Sequence, residues 1–289
     1  CRIHPPTKIM NDPNQADSTP AKDSQWLLQY RKNMTSQLGE DGILEKVFEI
    51  LPDANRWCVE FGAGDGELFS NTHHLINHQG WSSVQIEGDP DVYELLSNRY
   101  ANNNNVTCLN RMIRFEGENT LDQVLQTTSI PLDFDFLSID VDGNDYYVWE
   151  SLQMYRPKVI LIEFNPSIPH YVSYVQAKNP EVYQGCSLLA LQQLGKQKGY
   201  ELIASTEWNG FFVDAKYFPL FEISDNSIWK MNRFYQFWTY VFQLYDGTIV
   251  VGGNNKMLWH KVEVDFSEIQ EMVQVLPPEE RIFRGRLSE

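Results

Sequence analysis

The stretch WCVEFGAGDG, residues 57–66, runs from a short apolar segment of strand type straight into glycines at positions 62, 64 and 66. Glycines so spaced let the backbone turn tightly and let a ligand approach it closely, with the start of the following helix offering free N–H groups. A helix is predicted just beyond, over Phe69–His78. Glu60 stands two residues before the first glycine, and Glu87 closes the next apolar run, VQIEG at 84–88. An acid at the end of a second strand can accept both ribose hydroxyls of a bound nucleoside.

Outward from this turn the same rhythm continues. VTCLN (106–110), FDFLSIDV (134–141) and VILIEFN (159–165) read as buried strands, separated by helical segments over Asp91–Tyr100, Asn119–Thr127 and Asp145–Met154. Strands alternating with helices mean parallel βαβ units with helices on both faces. After the fifth strand come a loop to about 184, a helix over Ser187–Lys198, and then ELIAST and GFFVDAKYF joined around Trp208–Gly210. So short a link allows a hairpin and no helical crossover. The expected fold is α/β, a Rossmann-like seven-stranded sheet of five parallel strands plus an antiparallel final pair, a strand sequence similar to that of the class I methyltransferase sheet.

Three segments are expected along the chain. Residues 1–23, rich in Pro, Asn, Asp and Ser, read as a flexible arm. Residues 24–217 carry the main domain. It opens with two amphipathic helices, one through Trp26, Leu27 and Tyr30 and one from Ile43 to Leu51, which Pro52 closes. Residues 218–289 form an extension whose aromatics, including Trp229, Tyr235, Trp238 and Tyr245, suit either a helix packed on the core or a lid or dimer surface.

Composition narrows the partners. With 23 basic and 39 acidic side chains in 289 residues, the net charge of −16 disfavours nucleic acid and anionic membrane surfaces. No apolar run is long enough to span a bilayer. The four cysteines lack metal-ligand spacing, and Cys58 and Cys108 fall inside strand-like runs; reduced thiols point to the cytoplasm. Against that, the chain starts at Cys1, and Asn33 and Asn105 head N-x-T sequences of the glycosylation type, so a removed targeting segment stays open.

The E-x-G-x-G-x-G turn resembles the first motif of class I S-adenosylmethionine-dependent methyltransferases. The set SQLGEDGIL (36–44), VEFGAGDG, NHQGWSSVQIEG (77–88), LSIDVDGNDYYVW (137–149) and VILIEFNPS (159–167) resembles their FkbM-like branch. The resemblance implies that Gly62, Gly64 and Gly66 border the methionine part of the cofactor, that Glu60 binds its amino group directly or through water, and that Glu87 holds the ribose. It also implies methylation of a hydroxyl on a sugar or small-molecule metabolite. Where that branch commonly reads D-V-E-G, this chain has Asp140-Val-Asp142-Gly143-Asn144-Asp145.

Asp140 and Asp142, and Glu163 and Asn165, fall on one face of their strands by period-two alternation. Neighbouring strand ends would bring these groups together where open α/β sheets bind ligands. Hard oxygen donors so placed suit Mg²⁺ or another divalent cation, with Asp140, Glu163 and Asn165 as the ligand set and Asp142 as a further candidate ligand, similar to catechol-type O-methyltransferases. The same string also suits a turn followed by a helix with Asp145 as its N-cap. For proton removal the candidates are Asp140, Asp142 and His170, the last on the loop after strand five. His260 reads as structural. Two other functions compete: a scaffold or cofactor-binding protein without catalysis, and a nicotinamide oxidoreductase, disfavoured because Glu67 stands where G-x-G-x-x-G needs glycine. A small-molecule or glycan acceptor, and a homo-oligomer formed through the extension, complete the expected partners.

Overall fold

The structure, a computed structural model, describes residues 22–283. The arm expected over 1–23 therefore lies almost wholly outside the described residues. The first apolar segment forms a single 3-10 turn at Trp26–Tyr30 in place of an amphipathic helix. Helix α1 (Glu40–Ile50) follows from left-handed Gly39 and buries Ile43, Leu44 and Val47.

The sheet is built from β1 (Trp57–Phe61), β2 (Ser82–Glu87), β3 (Val106–Asn110), β4 (Phe136–Ile139), β5 (Val159–Glu163), β6 (Tyr200–Ser205) and β7 (Asn209–Asp214). Their order is β3-β2-β1-β4-β5-β7-β6. The first five strands pair in parallel, while β7 runs antiparallel to both β5 and β6. This is the Rossmann-like methyltransferase arrangement expected from the sequence. Its strands read as continuous apolar runs because helices cover both faces: Val159 to Ile162 and Phe211 to Val213 are all at most 1% exposed.

The connecting helices are α2 (His73–Gln79), α3 (Pro90–Tyr100), α4 (Leu121–Leu125), α5 (Asp145–Ser151) and α6 (Leu188–Lys198). Asp89 caps α3 through the amides of Asp91 and Val92, and Ser187 caps α6 through Ala190. Helix α2 begins four residues later than expected, since residues 67–72 form a loop.

The extension contains no long helix among its described residues. It holds α7 (Ile228–Met231), the hairpin β8 (Thr239–Gln243) with β9 (Ile249–Gly253), the two-residue pair β10 (Lys256–Met257) with β11 (Val262–Glu263), and α8 (Phe266–Met272). Its first part is woven into the core. Ser24 donates to the Asp225 carbonyl at 2.5 Å, Gln192 to that of Asn226 at 2.7 Å, and Asn232 to Ser205 Oγ at 2.9 Å. No described helix is long and apolar enough to cross a membrane.

Candidate functional site

The glycine turn leaves β1 with Gly62, Gly64 and Gly66 all at positive φ, a conformation costly for side chains. The three do different things. A Cβ on Gly62 would lie 2.0 Å from the Asp140 carbonyl oxygen, so this glycine lets β1 and the end of β4 press together. A Cβ on Gly66 would meet Leu96 and Tyr100 of α3 at 2.7 and 2.8 Å. A Cβ on Gly64 would meet nothing within 4 Å. That position opens onto free space, and its N–H is held by Glu87 Oε2 at 2.9 Å. Glu87 Oε1 takes the Asp89 amide at 2.8 Å, which ties the turn to the start of α3.

The Glu60 carboxylate is buried and accepts from Ser70 Oγ and Thr72 Oγ1, both at 2.6 Å, and from the Asn71 amide at 2.8 Å. Both oxygens thus accept from the loop that delays α2, so Glu60 anchors that loop. Burial outweighs these three hydrogen bonds and raises its pKa. The SQLGED segment is structural in the same way. Asp41 Oδ2 accepts from the amides of Met34, Thr35 and Ser36, while Glu40, fully buried, accepts from Thr206 Oγ1 at 3.0 Å and Asn209 Nδ2 at 3.1 Å. Thr35 Oγ1 then reaches the Ser70 carbonyl, linking this loop to the one that Glu60 holds.

At the ends of β4 and β5, carboxylate oxygens of Asp140, Asp142 and Glu163 all lie within 4.8 Å of one another. Strand alternation is not the cause. Strand β4 stops at Ile139, and Asp142 comes round to the cluster in a left-handed turn, with φ 52°. Asp145 shapes that turn: its two oxygens accept from Val141 and Gly143, each at 2.9 Å, so it braces the loop and does not cap α5 as its N-cap. Among the described residues no group donates a hydrogen bond to the carboxylates of Asp140, Asp142 or Glu163. Desolvation, and after it the charges of Asp145 and Asp142, raise Asp140; desolvation and the aspartates likewise raise Glu163.

Asn165 lines the cavity beside this cluster, tied to its own loop: its Oδ1 accepts from the Ser167 amide and hydroxyl, and its Nδ2 donates to the Gln184 carbonyl at 3.1 Å. Of the metal set expected from the sequence, Asp140 and Glu163 thus come together with Asp142. Three hard oxygen donors suit a divalent cation by chemistry.

A cavity of about 330 Å³ opens beside this cluster, lined by Asp142, Asp145, Glu163, Phe164, the Tyr183–Gly185 strip and, from the extension, Trp259 and His260. His260, expected to be structural, thus faces the crevice. His170 does not line it. That ring is buried, its Nε2 lies 3.1 Å from the Asn232 carbonyl, and Trp229, Tyr235 and Trp238 surround it with ring centroids 4.8–5.7 Å away. Burial lowers its pKa. The part of the loop after β5 that carries His170 packs against the extension, while the same loop returns to the crevice at Tyr183–Gly185, so the structure places His170 away from the acceptor side expected for a general base. Nothing in the local sequence reveals that Trp259 and His260 reach the crevice, nearly a hundred residues beyond Glu163. Among the described residues Cys58, Cys108 and Cys186 form no disulfide.

No protein-family profile matches the chain, and no curated protein does. Among solved structures it is similar to the CMeT domain of the citrinin polyketide synthase, at 11% identity and TM-score 0.41 over 61% of this chain and 51% of that one. It is similar also to a SAM-dependent methyltransferase from Aquifex aeolicus, at 15% identity and TM-score 0.36 over 58% and 86%. A further similar structure is the N-terminal domain of EvdMO1 in the presence of SAH and D-fucose, at 13% identity and TM-score 0.38 over 60% and 80%. The chain spans about half the length of the first of these.

Proposed function

We propose that the chain is an S-adenosylmethionine-dependent methyltransferase acting on a hydroxyl group of a sugar or small-molecule acceptor, of the FkbM-like kind suggested by its SQLGED and DVDGND segments. The observation that carries this reading is Glu87. An acid at the end of β2, hydrogen-bonded to the amide of Gly64 and beside the open face of that glycine, is built to take ribose hydroxyls while the turn receives the rest of the nucleoside. The sheet order supports it, since ligands of open α/β sheets bind outside the carboxyl ends of the strands where the order reverses. Here that place lies between β1 and β4.

The reaction needs little covalent help. The acceptor oxygen attacks the sulfonium methyl in line, the new C–O bond forms as the C–S bond breaks, and a neutral thioether leaves. Positioning supplies most of the rate. Asp140, whose backbone presses on Gly62 and whose carboxylate has no protein partner, stands between the cofactor turn and the crevice; it or Asp142 takes the hydroxyl proton. Trp259 and His260 cover the crevice from the extension side.

Calorimetry with S-adenosylmethionine, S-adenosylhomocysteine and NAD tests the reading. The adenosyl compounds are expected to bind with micromolar affinity and NAD to leave the baseline flat. Glu87→Ala is expected to weaken binding by about 1.5–3 kcal/mol, the size of lost charge-assisted hydrogen bonds. Equal affinity in the variant would remove the ribose assignment, and tight NAD binding would replace the reaction class.

A further inference from the structure

The cavity at the ends of β4 and β5 has two unlike kinds of wall. One is acidic: Asp142, Asp145 and Glu163 line it, and no lysine or arginine does. The other is aromatic: Phe164, Tyr183 and Trp259 are among the residues that line the same space, with His260 the one basic residue there. Trp259 lies in the turn between β10 and β11, and among the described residues no side-chain hydrogen bond or ion pair ties residues 258–261 to the core. Trp259, 49% exposed, therefore offers its ring face to an occupant.

An occupant must satisfy both walls. A neutral polyol would hydrogen-bond to Asp142 and Glu163 but would have no use for the rings. An anionic acceptor would be repelled. A bare metal ion would answer the carboxylates and leave the aromatic faces wet. An ammonium group on an apolar body meets the carboxylates with its charge and the rings with its body, and it gains cation–π attraction from Trp259 or Tyr183. We propose that the methyl acceptor is an organic cation, a hydroxyl-bearing amine whose ammonium lies on Asp142 and Glu163 and whose body stacks against Trp259 and Tyr183. This names the substrate class of the methyltransferase proposed above and rests on that reading of the crevice. The ammonium keeps its protons throughout, and the balance of the transfer is unchanged: the hydroxyl proton leaves to a carboxylate as the O–CH₃ bond forms and the thioether departs.

The test is calorimetry with three phenols of like size, tyramine, 4-ethylphenol and 4-hydroxyphenylacetate, and with MgCl₂, on protein saturated with S-adenosylhomocysteine and on protein without it. Tyramine is expected to bind about tenfold or more tighter than 4-ethylphenol, the order of one charge-assisted hydrogen bond, and 4-hydroxyphenylacetate weakest. Asp142→Asn with Glu163→Gln should erase the preference for tyramine, whereas Trp259→Ala should weaken tyramine and 4-ethylphenol alike. Salt probes the same charge in wild-type protein, where added NaCl should shrink the preference. Tyramine binding no better than 4-ethylphenol would overturn the proposal, and so would Mg²⁺ that binds and abolishes the tyramine preference. Failure of S-adenosylhomocysteine to bind, with the charge preference intact in its absence, would instead overturn the methyltransferase reading and leave a cation site standing.

Discussion

Gly62 and Gly64 stand two residues apart in one turn and are held there by opposite needs. Alanine at 62 would put a carbon 2.0 Å from the Asp140 carbonyl, on backbone that cannot give way without parting β1 from β4. Alanine at 64 would meet no protein atom and would add only the cost of a left-handed residue, about 1–2 kcal/mol. Gly62→Ala is therefore expected to be poorly folded. Gly64→Ala is expected to melt cooperatively a few degrees below wild type while losing at least tenfold in S-adenosylhomocysteine affinity, by calorimetry against a thermal melt. Wild-type affinity in Gly64→Ala would show that the open space is not the cofactor's. The sequence made all three glycines legible as a turn, and Glu87 as an acid at a strand end. It could not show that Glu60 accepts from Ser70, Asn71 and Thr72, because a carboxylate's partners are set by how the following loop closes over it. Asn165 is tied to its own loop for a related reason. Period-two reasoning holds only within a strand, and β5 ends at Glu163, after which Asn165 folds onto its own loop through Ser167.

At the scale of elements, the parallel strands were readable because burial on both faces leaves uninterrupted apolar runs, and the β6–β7 hairpin because three residues cannot hold a crossover. The short helical pieces were not. Trp26–Tyr30 has helical spacing but stops after one 3-10 turn, since the Arg31 guanidinium is drawn to the Leu38 carbonyl and to Glu207. The loop after β5 leans the same way, toward partners distant in sequence. His170 packs among Trp229, Tyr235 and Trp238, holding that loop against the extension. Burial keeps its imidazole below the ordinary value of 6.5. The unfolded chain therefore binds this proton more readily, and the stability that depends on a neutral His170 is complete above about pH 6.5 and drains away as pH falls below it. Thermal melts should show the advantage of wild type over His170→Gln narrowing from pH 7.5 to pH 5.5. Since Gln can still donate to the Asn232 carbonyl, a gap that stays constant with pH would mean that the ring's charge state is irrelevant to docking.

Across the whole molecule, the division at residue 217 follows the end of the sheet and not the limits of packing. Phe221 is fully buried, and Asn232 donates to Ser205 and to the Thr206 carbonyl, beside the turn that Glu40 also holds. The stretch from 218 to about 238 is thus part of the core, and cutting the chain at 217 should yield insoluble protein. The far end of the extension is different. Residues 256–263 form a two-strand turn whose flanks already meet, the Val264 amide donating to the Asn255 carbonyl at 2.7 Å. Two glycines can join those flanks in a tight hairpin turn. Replacing 256–263 by Gly-Gly removes Trp259 and His260 from the crevice while leaving Glu87, the glycine turn and the carboxylates in place. Its melting temperature should stay within about 2 °C of wild type, since exposed residues away from the core contribute little to stability. Affinity for S-adenosylhomocysteine should be unchanged, and binding of tyramine should fall to the level seen in Trp259→Ala. Loss of cofactor binding together with the acceptor would mean that the turn closes over the nucleoside as well, and that the crevice and the cofactor site are one chamber.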